Sequence, residues 1–143
     1  MNEKKIFVLE TNVDDATGEV MGHALGEIEK TAIDAFIETG YGKKGRPLFI
    51  VKALAHENDI DKVAEAMMRE TGSLGVRVIE CTRHIMSRTI EERTVKVMGE
   101  KYCVRVKRTK HTKKPEYEDL KKIAEKTGMP LRQVKQEVEK QID

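Results

Sequence analysis

The order of strand-like and helix-like apolar patterns along residues 5–85 constrains the fold more than any other feature of the sequence. Short apolar or alternating runs predict β-strands, whereas apolar residues spaced three and four apart predict amphipathic helices. In chain order the patterns predict strand 5–11, helix 18–31, strands 33–39 and 48–55, helix 59–72 and strand 76–85. This βαββαβ order is the pattern of the ferredoxin-like fold.

The remaining residues predict an extension of that core. Segments 89–98 and 101–109 alternate with period two, and Gly99-Glu100 is the predicted turn of a β-hairpin. After Pro115 the pattern becomes helical twice, with a break at Gly128. The predicted fold class is therefore α+β, a ferredoxin-like core extended by a β-hairpin and two C-terminal helices. With 143 residues and no evident linker or repeat, we expect a single domain spanning 1–143.

Composition narrows the classes of function. No stretch is apolar enough to cross a membrane, and the first residues, MNEKK, lead directly into a strand, which predicts a soluble, cytoplasmic protein. Aromatic residues make up 4% of the chain and Trp is absent, which argues against stacking of several bases. Residues 1–42 carry nine acids and three lysines, so the rest of the chain holds a net charge of +8. This asymmetry suits a metal bound together with an anion better than duplex DNA.

The acidic stretch ETNVDDATGE, residues 10–19, directly follows a buried strand. It offers hard oxygen atoms from Asn12, Asp14 and Asp15. A strand-to-helix junction places such a loop beside a helix N-terminus, which attracts anions, while the carboxylates attract a cation. Magnesium-like ions commonly take one or two protein carboxylates together with substrate phosphate oxygens. An Asx-rich turn that caps the helix explains the same residues, so both interpretations stay open.

The segment GYGKKGRP, residues 40–47, places three glycines around Lys43, Lys44 and Arg46. Glycine lets the backbone approach a ligand closely, and three cationic side chains can neutralise a triphosphate. The GxxxxGK[ST] spacing of a P-loop is absent. A basic hairpin loop without a ligand is the alternative interpretation.

The segment RETGSLGVR, residues 69–77, is a third candidate. Arg69 and Arg77 flank a Gly-Ser-Leu-Gly turn whose amides and hydroxyl could hold phosphate. A helix C-cap turn with two surface arginines explains this segment equally well.

Histidine and cysteine spacing predicts no preassembled soft-metal site within the chain. The four histidines are scattered, and no HxH, HxxxH or Cys/His pair occurs.

Residues 123–140 form a helix–turn–helix pattern that supports a competing hypothesis, nucleic-acid binding. The predicted reading face consists of Arg132, Gln133, Lys135 and Gln136. A helical hairpin packed on a sheet produces the same pattern, and Glu137 and Glu139 lie on the same helix.

Five segments in this order carry a family resemblance: ETNVDDATGE, KKGRP, RETGSLGVR, CTRHIMSR and KPEYEDLKKIAEKTG. Together they resemble the C-terminal domain of the LarC family, the nickel-insertion proteins that complete the nickel-pincer nucleotide cofactor of lactate racemase. The resemblance extends from about Phe7 to Val138.

The resemblance implies a CTP-dependent nickel chelatase or cyclometallase, a lyase. Such an enzyme inserts nickel into pyridinium-3,5-bisthiocarboxylic acid mononucleotide and requires CTP bound to magnesium or manganese. The implied ligands of the nucleotide-bound metal are Asn12, Asp14 and Asp15. The implied phosphate-binding residues are Lys43, Lys44, Arg46, Arg69 and Arg77. Other residues of the matching motifs, without assigned roles, are Glu10, Thr71, Arg83, Arg88, Lys114, Glu116, Tyr117 and Asp119. No catalytic residue is assigned.

Full-length members of this family carry a further N-terminal region with a histidine-rich stretch suited to nickel. No such stretch precedes Met1, which leaves three interpretations open: a separately encoded half, a truncated piece, or a homologue with a narrower role. The resemblance implies that this chain supplies the metal–CTP-binding half, and one of the open possibilities is a separate N-terminal-type chain as its partner. Exposed sheet edges also favour a homo-oligomer. The alternatives to this function are the nucleic-acid-binding module and a nucleotide-sensing domain without catalysis.

Overall fold

The computed structural model describes residues 2–142 and has a mixed α+β fold, which confirms the predicted fold class. The elements are β1 (Asn2–Val13), α1 (Gly18–Glu29), β2 (Asp34–Tyr41), β3 (Pro47–Ala55), α2 (Ile60–Thr71), β4 (Arg77–Ile85), β5 (Thr89–Val97), β6 (Glu100–Arg108), β7 (Lys113–Pro115), α3 (Tyr117–Thr127) and α4 (Leu131–Ile142). They group into two compact units, one of residues 3–84 and one formed mainly by residues 85–142. The expectation of one domain over 1–143 stays a prediction.

The N-terminal unit contains the predicted βαββαβ order. Its four-stranded sheet has the strand order β2-β3-β1-β4, with β1 and β2 each antiparallel to β3. Alternate residues of β1, among them Leu9 and Val13, are buried with Met21 and Ile28 of α1 and Val63 of α2. The period-two pattern of the strand therefore places one face of the sheet against the helices.

The acidic loop connects β1 to α1, and a helix cap fixes its α1 end. At the α1 end, the Thr17 hydroxyl accepts a hydrogen bond from the backbone N–H of Val20, at 3.3 Å. Thr17 is therefore the helix cap, and neither aspartate of the loop takes that role. Asp14 and Asp15 lie in the loop between β1 and the cap.

The C-terminal unit is a three-stranded sheet, β5-β6-β7, covered by two helices. Its core contains Val104 of β6, Leu120 and Ile123 of α3, and Val134 and Val138 of α4. The pattern over residues 123–140 is thus a helical hairpin packed on a sheet. The strand β7 was not predicted, because its three residues carry no alternation and pair only with β6.

The predicted hairpin turn at Gly99-Glu100 is wrong by one residue. Val97 pairs with Glu100, so the two turn residues are Met98 and Gly99, with φ of 52° and 82°. Two positive φ values are typical of a type I′ turn, whose twist matches that of the flanking strands.

None of the helices within residues 2–142 is both long enough and apolar enough to cross a membrane.

Candidate functional site

The acidic loop borders a polar cleft in the N-terminal unit. This cleft has a volume of about 360 Å³ and is lined by Thr11–Asp15, Thr71–Gly75 and Arg77. The structure therefore brings together two of the three predicted segments, the acidic loop after β1 and the TGSLG turn after α2. We call this space the polar cleft.

Buried hydrogen bonds hold the TGSLG turn against β1. Thr11 is buried, and its Oγ1 lies 2.9 Å from both the Gly75 carbonyl oxygen and Ser73 Oγ. Thr71 is also buried, donates to the Met67 carbonyl at 2.6 Å and accepts from the Ser73 N–H at 3.3 Å. Because these buried hydroxyls all have partners, the wall of the polar cleft is fixed rather than loose.

Arg77 of β4 contacts two polar side chains of β1. Its Nε and Nη2 donate to Glu10 Oε1 at 3.1 and 2.9 Å, and Nη2 also donates to Asn12 Oδ1 at 2.7 Å. Lys52 approaches the other Glu10 oxygen at 3.5 Å. Hydrogen bonds from Arg77, with a further contribution from Lys52, hold the pKa of Glu10 below its ordinary value. In this structure Arg77 orients Asn12, while its predicted contact with phosphate stays a prediction.

Removing the Arg77 guanidinium should therefore raise the pKa of the Glu10 carboxyl towards its ordinary value. The substitution Arg77→Gln removes the positive charge and leaves Lys52 as the remaining cation near Glu10. An NMR pH titration of the Glu10 carboxyl carbon measures this change. Arg69→Gln is the matched control, because Arg69 pairs with Glu70 and should leave the Glu10 titration unchanged. If the Glu10 pKa is unchanged in Arg77→Gln, hydrogen bonds from Arg77 are not what lowers it.

The basic loop carries Lys43, Lys44 and Arg46 as exposed side chains. It is closed by its own backbone: the Gly42 N–H donates to the Arg46 carbonyl at 2.8 Å, and Lys44 adopts a left-handed φ of 59°. Arg46 Nη1 lies 3.6 Å from Asp14 Oδ2. This contact joins the predicted phosphate-binding loop to the predicted metal-binding loop.

Two further motif arginines of the N-terminal unit lie outside the polar cleft lining. Arg69 is exposed on α2 and its Nε lies 2.8 Å from Glu70 Oε1. Arg83 lies on β4 and its Nε is buried without a hydrogen-bond partner among the described residues.

The motif KPEYED belongs to the C-terminal unit, where two of its acids hold α3 on β6. Glu116 accepts from Lys107 Nζ at 2.9 Å. Asp119 accepts from Arg105 Nε at 2.9 Å, from Arg105 Nη2 at 2.7 Å and from the Arg105 backbone N–H at 2.9 Å. These ion pairs indicate a structural role for both acids.

The remaining motif residues of this unit are Lys114, Tyr117 and Arg88. Lys114 and Tyr117 are exposed on β7 and α3. Arg88 lines a surface cleft together with Arg108 and Lys110.

The oxygen donors of the acidic loop have the chemistry that magnesium and manganese prefer. Across residues 2–142, no group of three His, Cys, Asp or Glu side chains is arranged to hold a metal ion. A hard cation at Asp14 and Asp15 would thus need further oxygen ligands, and nucleotide phosphates supply such ligands. The oxygen donors of the acidic loop thus fit a hard cation that takes its remaining ligands from outside the chain.

The predicted nucleic-acid-reading residues of α4, Arg132, Gln133, Lys135 and Gln136, are exposed. The same helix carries the ion pairs Lys135–Glu139 and Lys140–Glu137, at 3.8 and 3.2 Å. Its exposed surface thus alternates in charge and is not a continuous basic stripe.

Comparison with known proteins gives concordant matches. A family model described as nickel insertion protein matches residues 1–135. A putative nickel insertion protein of Methanocaldococcus jannaschii is 37% identical over 135 residues, covering 92% of this chain and 35% of the relative. The pyridinium-3,5-bisthiocarboxylic acid mononucleotide nickel insertion protein of Alkaliphilus metalliredigens is 34% identical over 146 residues, covering 98% of this chain and 34% of the relative. The chain therefore spans about a third of the length of these curated relatives.

Solved structures are also similar to most of this chain. One is LarC2, the C-terminal domain of a cyclometallase involved in the synthesis of the NPN cofactor of lactate racemase, in its apo form. It matches with a TM-score of 0.80 and 30% identity, covering 96% of each chain. Another is a protein of Methanopyrus kandleri, with a TM-score of 0.66 and 26% identity, covering 93% of this chain and 85% of that one.

Proposed function

The chain belongs to the nickel insertion protein family, and from this premise we propose that it is the metal–CTP-binding part of a nickel-inserting cyclometallase. The single observation that carries this proposal is the contact of 3.6 Å between Arg46 and Asp14. A basic loop suited to phosphate and an acidic loop suited to a hard cation meet there. A metal–triphosphate complex presents complementary charges to both loops.

Each residue type has a distinct task in the proposed complex. The oxygens of Asn12, Asp14 and Asp15 bind the metal, and Arg77 holds the Asn12 amide in place. A bound magnesium or manganese ion supplies charge neutralisation at the phosphates and orients them.

The basic loop acts on the phosphates. Lys43, Lys44 and Arg46 neutralise the triphosphate in this proposal, assisted by Arg69 and Arg77. The chain's own contribution is positioning and electrostatic stabilisation, which requires no protein nucleophile.

The proposed substrates are nickel and pyridinium-3,5-bisthiocarboxylic acid mononucleotide, and the proposed class is lyase. Because His23, His56, His84 and His111 are scattered in the sequence, the proposal assigns nickel delivery to an N-terminal-type region of the family, on the same or on another polypeptide. We further propose that the protein acts in the cytoplasm as a homo-oligomer.

Isothermal titration calorimetry with CTP tests the proposal directly. We expect binding in manganese, loss of binding in EDTA, and much weaker binding of ATP than of CTP in the same buffer. Absence of CTP binding in both conditions would contradict nucleotide binding by this chain. Equal binding of ATP and CTP would contradict the nucleotide specificity.

A second assay separates catalysis from nucleotide sensing. The chain is mixed with an N-terminal-type chain, nickel, manganese–CTP and the mononucleotide substrate, and the nickel-containing product is measured by mass spectrometry. Product formation that depends on this chain supports the proposed enzyme. Nucleotide binding without product would favour the sensing domain.

A further inference from the structure

Two adjoining surface clefts of the C-terminal unit lie at the turn between β6 and β7. One has a volume of about 320 Å³ and is lined by residues 108–113, and the other has a volume of about 330 Å³ and is lined by residues 87–89 and 108–110. We call the two together the cationic cleft. Its lining consists of four lysines and arginines, four hydroxyl side chains and one histidine. In the part of the chain that the structure describes, this lining contains no acidic side chain.

Hydrogen bonds fix the backbone of the turn that carries the cationic cleft. The Thr109 N–H donates to the Thr112 carbonyl at 2.8 Å. Thr109 Oγ1 in turn accepts from the N–H groups of His111 and Thr112, at 3.2 and 3.0 Å. Arg108, which precedes the turn, pairs with Thr89 of β5, so both sides of the cleft belong to one sheet. A backbone that is ordered in advance loses less conformational entropy when a ligand binds.

Two cations of the same strand outside the cleft have acidic partners. Residues 101–115 contain seven lysines and arginines and no acid, so any partner must come from another segment. Arg105 is paired with Asp119, and Lys107 is paired with Glu116. These two cations hold α3 on β6, and their structural role explains their presence.

The cations of the cationic cleft differ in this respect. Across residues 2–142, no carboxylate oxygen lies within 4.0 Å of the charged nitrogens of Arg88, Lys110 or Lys113. Arg108 is the exception, since its Nε and Nη2 donate to Glu91 Oε1 at 3.3 and 3.1 Å. A guanidinium group has five N–H donors, so Arg108 keeps further donors for a ligand. The cleft therefore has an excess of positive charge.

The residue types of the cationic cleft favour phosphate over other anions. Clustered like charges repel each other, so an anion that enters the cleft is stabilised by several cations at once. Lysine, arginine and hydroxyl side chains all donate hydrogen bonds to phosphate oxygens. A phosphate monoester offers three strong acceptor oxygens and nearly two negative charges, whereas a carboxylate offers two oxygens and one charge.

The extent of the cationic cleft favours a small ligand over a nucleic acid. Proteins that bind duplex DNA commonly contact about six to ten phosphates, whereas this cleft has four lysines and arginines. Acidic residues follow on both neighbouring segments, with Glu91 and Glu92 on β5 and Glu116 and Glu118 after β7. The positive charge is thus confined to the end of the sheet.

We propose that the cationic cleft binds the phosphate group of a small phosphorylated ligand, at a site separate from the metal–CTP site. A mononucleotide and free inorganic pyrophosphate both present this group, and the test distinguishes them. The inference goes beyond the proposed function, because it uses no residue of the polar cleft or of the basic loop. It gives a ligand contact to Arg88, a motif residue without an assigned role.

NMR titration of the full chain without metal tests this site. The probes are nicotinic acid mononucleotide and inorganic pyrophosphate, and nicotinic acid riboside is the matched control without phosphate. We expect both phosphorylated probes, but not the riboside, to shift the amide signals of residues 109–112. The double variant Lys110→Gln/Lys113→Gln should weaken binding of these probes by about fivefold or more. The matched variant Lys96→Gln/Lys101→Gln removes two charges from an exposed residue pair at the opposite end of the same hairpin and should stay within about twofold of the unchanged protein.

The preference between the probes identifies the source of the phosphate. Tighter binding of nicotinic acid mononucleotide would assign the cleft to a mononucleotide, and tighter binding of pyrophosphate would assign it to a free polyphosphate. Equal shifts with the riboside and the mononucleotide, or equal probe affinities in the two double variants, would overturn the inference. Thermal unfolding checks that both double variants keep the fold.

Further measurements separate this site from the proposed function. Manganese–CTP affinity, measured by calorimetry, should be the same in Lys110→Gln/Lys113→Gln and the unchanged protein. A loss as large as that for pyrophosphate would assign the cleft to CTP itself and overturn a separate site. A long oligonucleotide that binds at residues 109–112 far more tightly than pyrophosphate would also overturn the inference. If the probes bind at the cleft while manganese–CTP does not bind at all, the phosphate site is supported and the proposed function fails.

Discussion

Replacing Asp14 with alanine is expected to weaken manganese-dependent CTP binding by about 100-fold or more, which corresponds to roughly 3 kcal/mol. Asp14 is a predicted metal ligand, and its carboxylate also lies 3.6 Å from Arg46 of the basic loop. The substitution thus removes a cation ligand and the group that joins the two loops. The Asp14 side chain is 48% exposed, so the fold should tolerate its removal. Calorimetric titration with CTP in manganese measures the effect.

Two further variants control the Asp14 experiment. Asp34→Ala changes the net charge equally at the exposed first residue of β2 and should leave CTP affinity unchanged. Asp14→Asn keeps one oxygen acceptor without the charge and should bind with intermediate affinity. If Asp14→Ala binds manganese–CTP as tightly as Asp34→Ala does, the acidic loop is not the metal site.

The elements that sequence could predict are those whose signal is local. Strands β1 and β3 and helices α1 and α2 each carry their own apolar period, so their order and approximate ends follow from the sequence. Strand β7 has no such period, and only the β6 partners of Lys113–Pro115 make it a strand. The one-residue shift of the hairpin turn has a similar cause. Gly99 supplies a positive φ in either register, and only the pairing of Val97 with Glu100 fixes the turn.

The candidate site shows the same division. The acidic loop and the basic loop could be recognised because their charges are consecutive in sequence. The partners of Arg77 could not, because Glu10 and Asn12 lie 67 and 65 residues away. Because residues two apart in a strand lie on the same face, the sequence does indicate that Glu10 and Asn12 share a face of β1. It does not indicate which residue of another strand contacts them there. Arg69 shows the opposite case, since its partner is the adjacent Glu70.

Replacing Asp119 with alanine is expected to lower the free energy of unfolding of the C-terminal unit by about 2–3 kcal/mol. The Asp119 side chain is 11% exposed and accepts three hydrogen bonds from Arg105, one of them from the backbone N–H. Its removal leaves that N–H and the guanidinium without this partner at the junction of β6 and α3. Urea unfolding followed by circular dichroism at neutral pH measures the loss. Glu125→Ala, an exposed position on the same helix, is the control and should cause little change.

The pH dependence of this effect separates the ion pair from simple packing. Hydrogen bonds from Arg105 hold the pKa of Asp119 below its ordinary value of 3.8. A carboxyl whose pKa is lowered by folding contributes its full stabilisation above that ordinary value and loses it as the pH falls through the lowered pKa. The difference in stability between the unchanged protein and Asp119→Ala should therefore be constant near neutral pH and shrink below about pH 4. A difference that stays constant down to pH 2 would mean that the Asp119 side chain stabilises the unit by packing, because protonation of the carboxyl would then have no effect on the contact with Arg105.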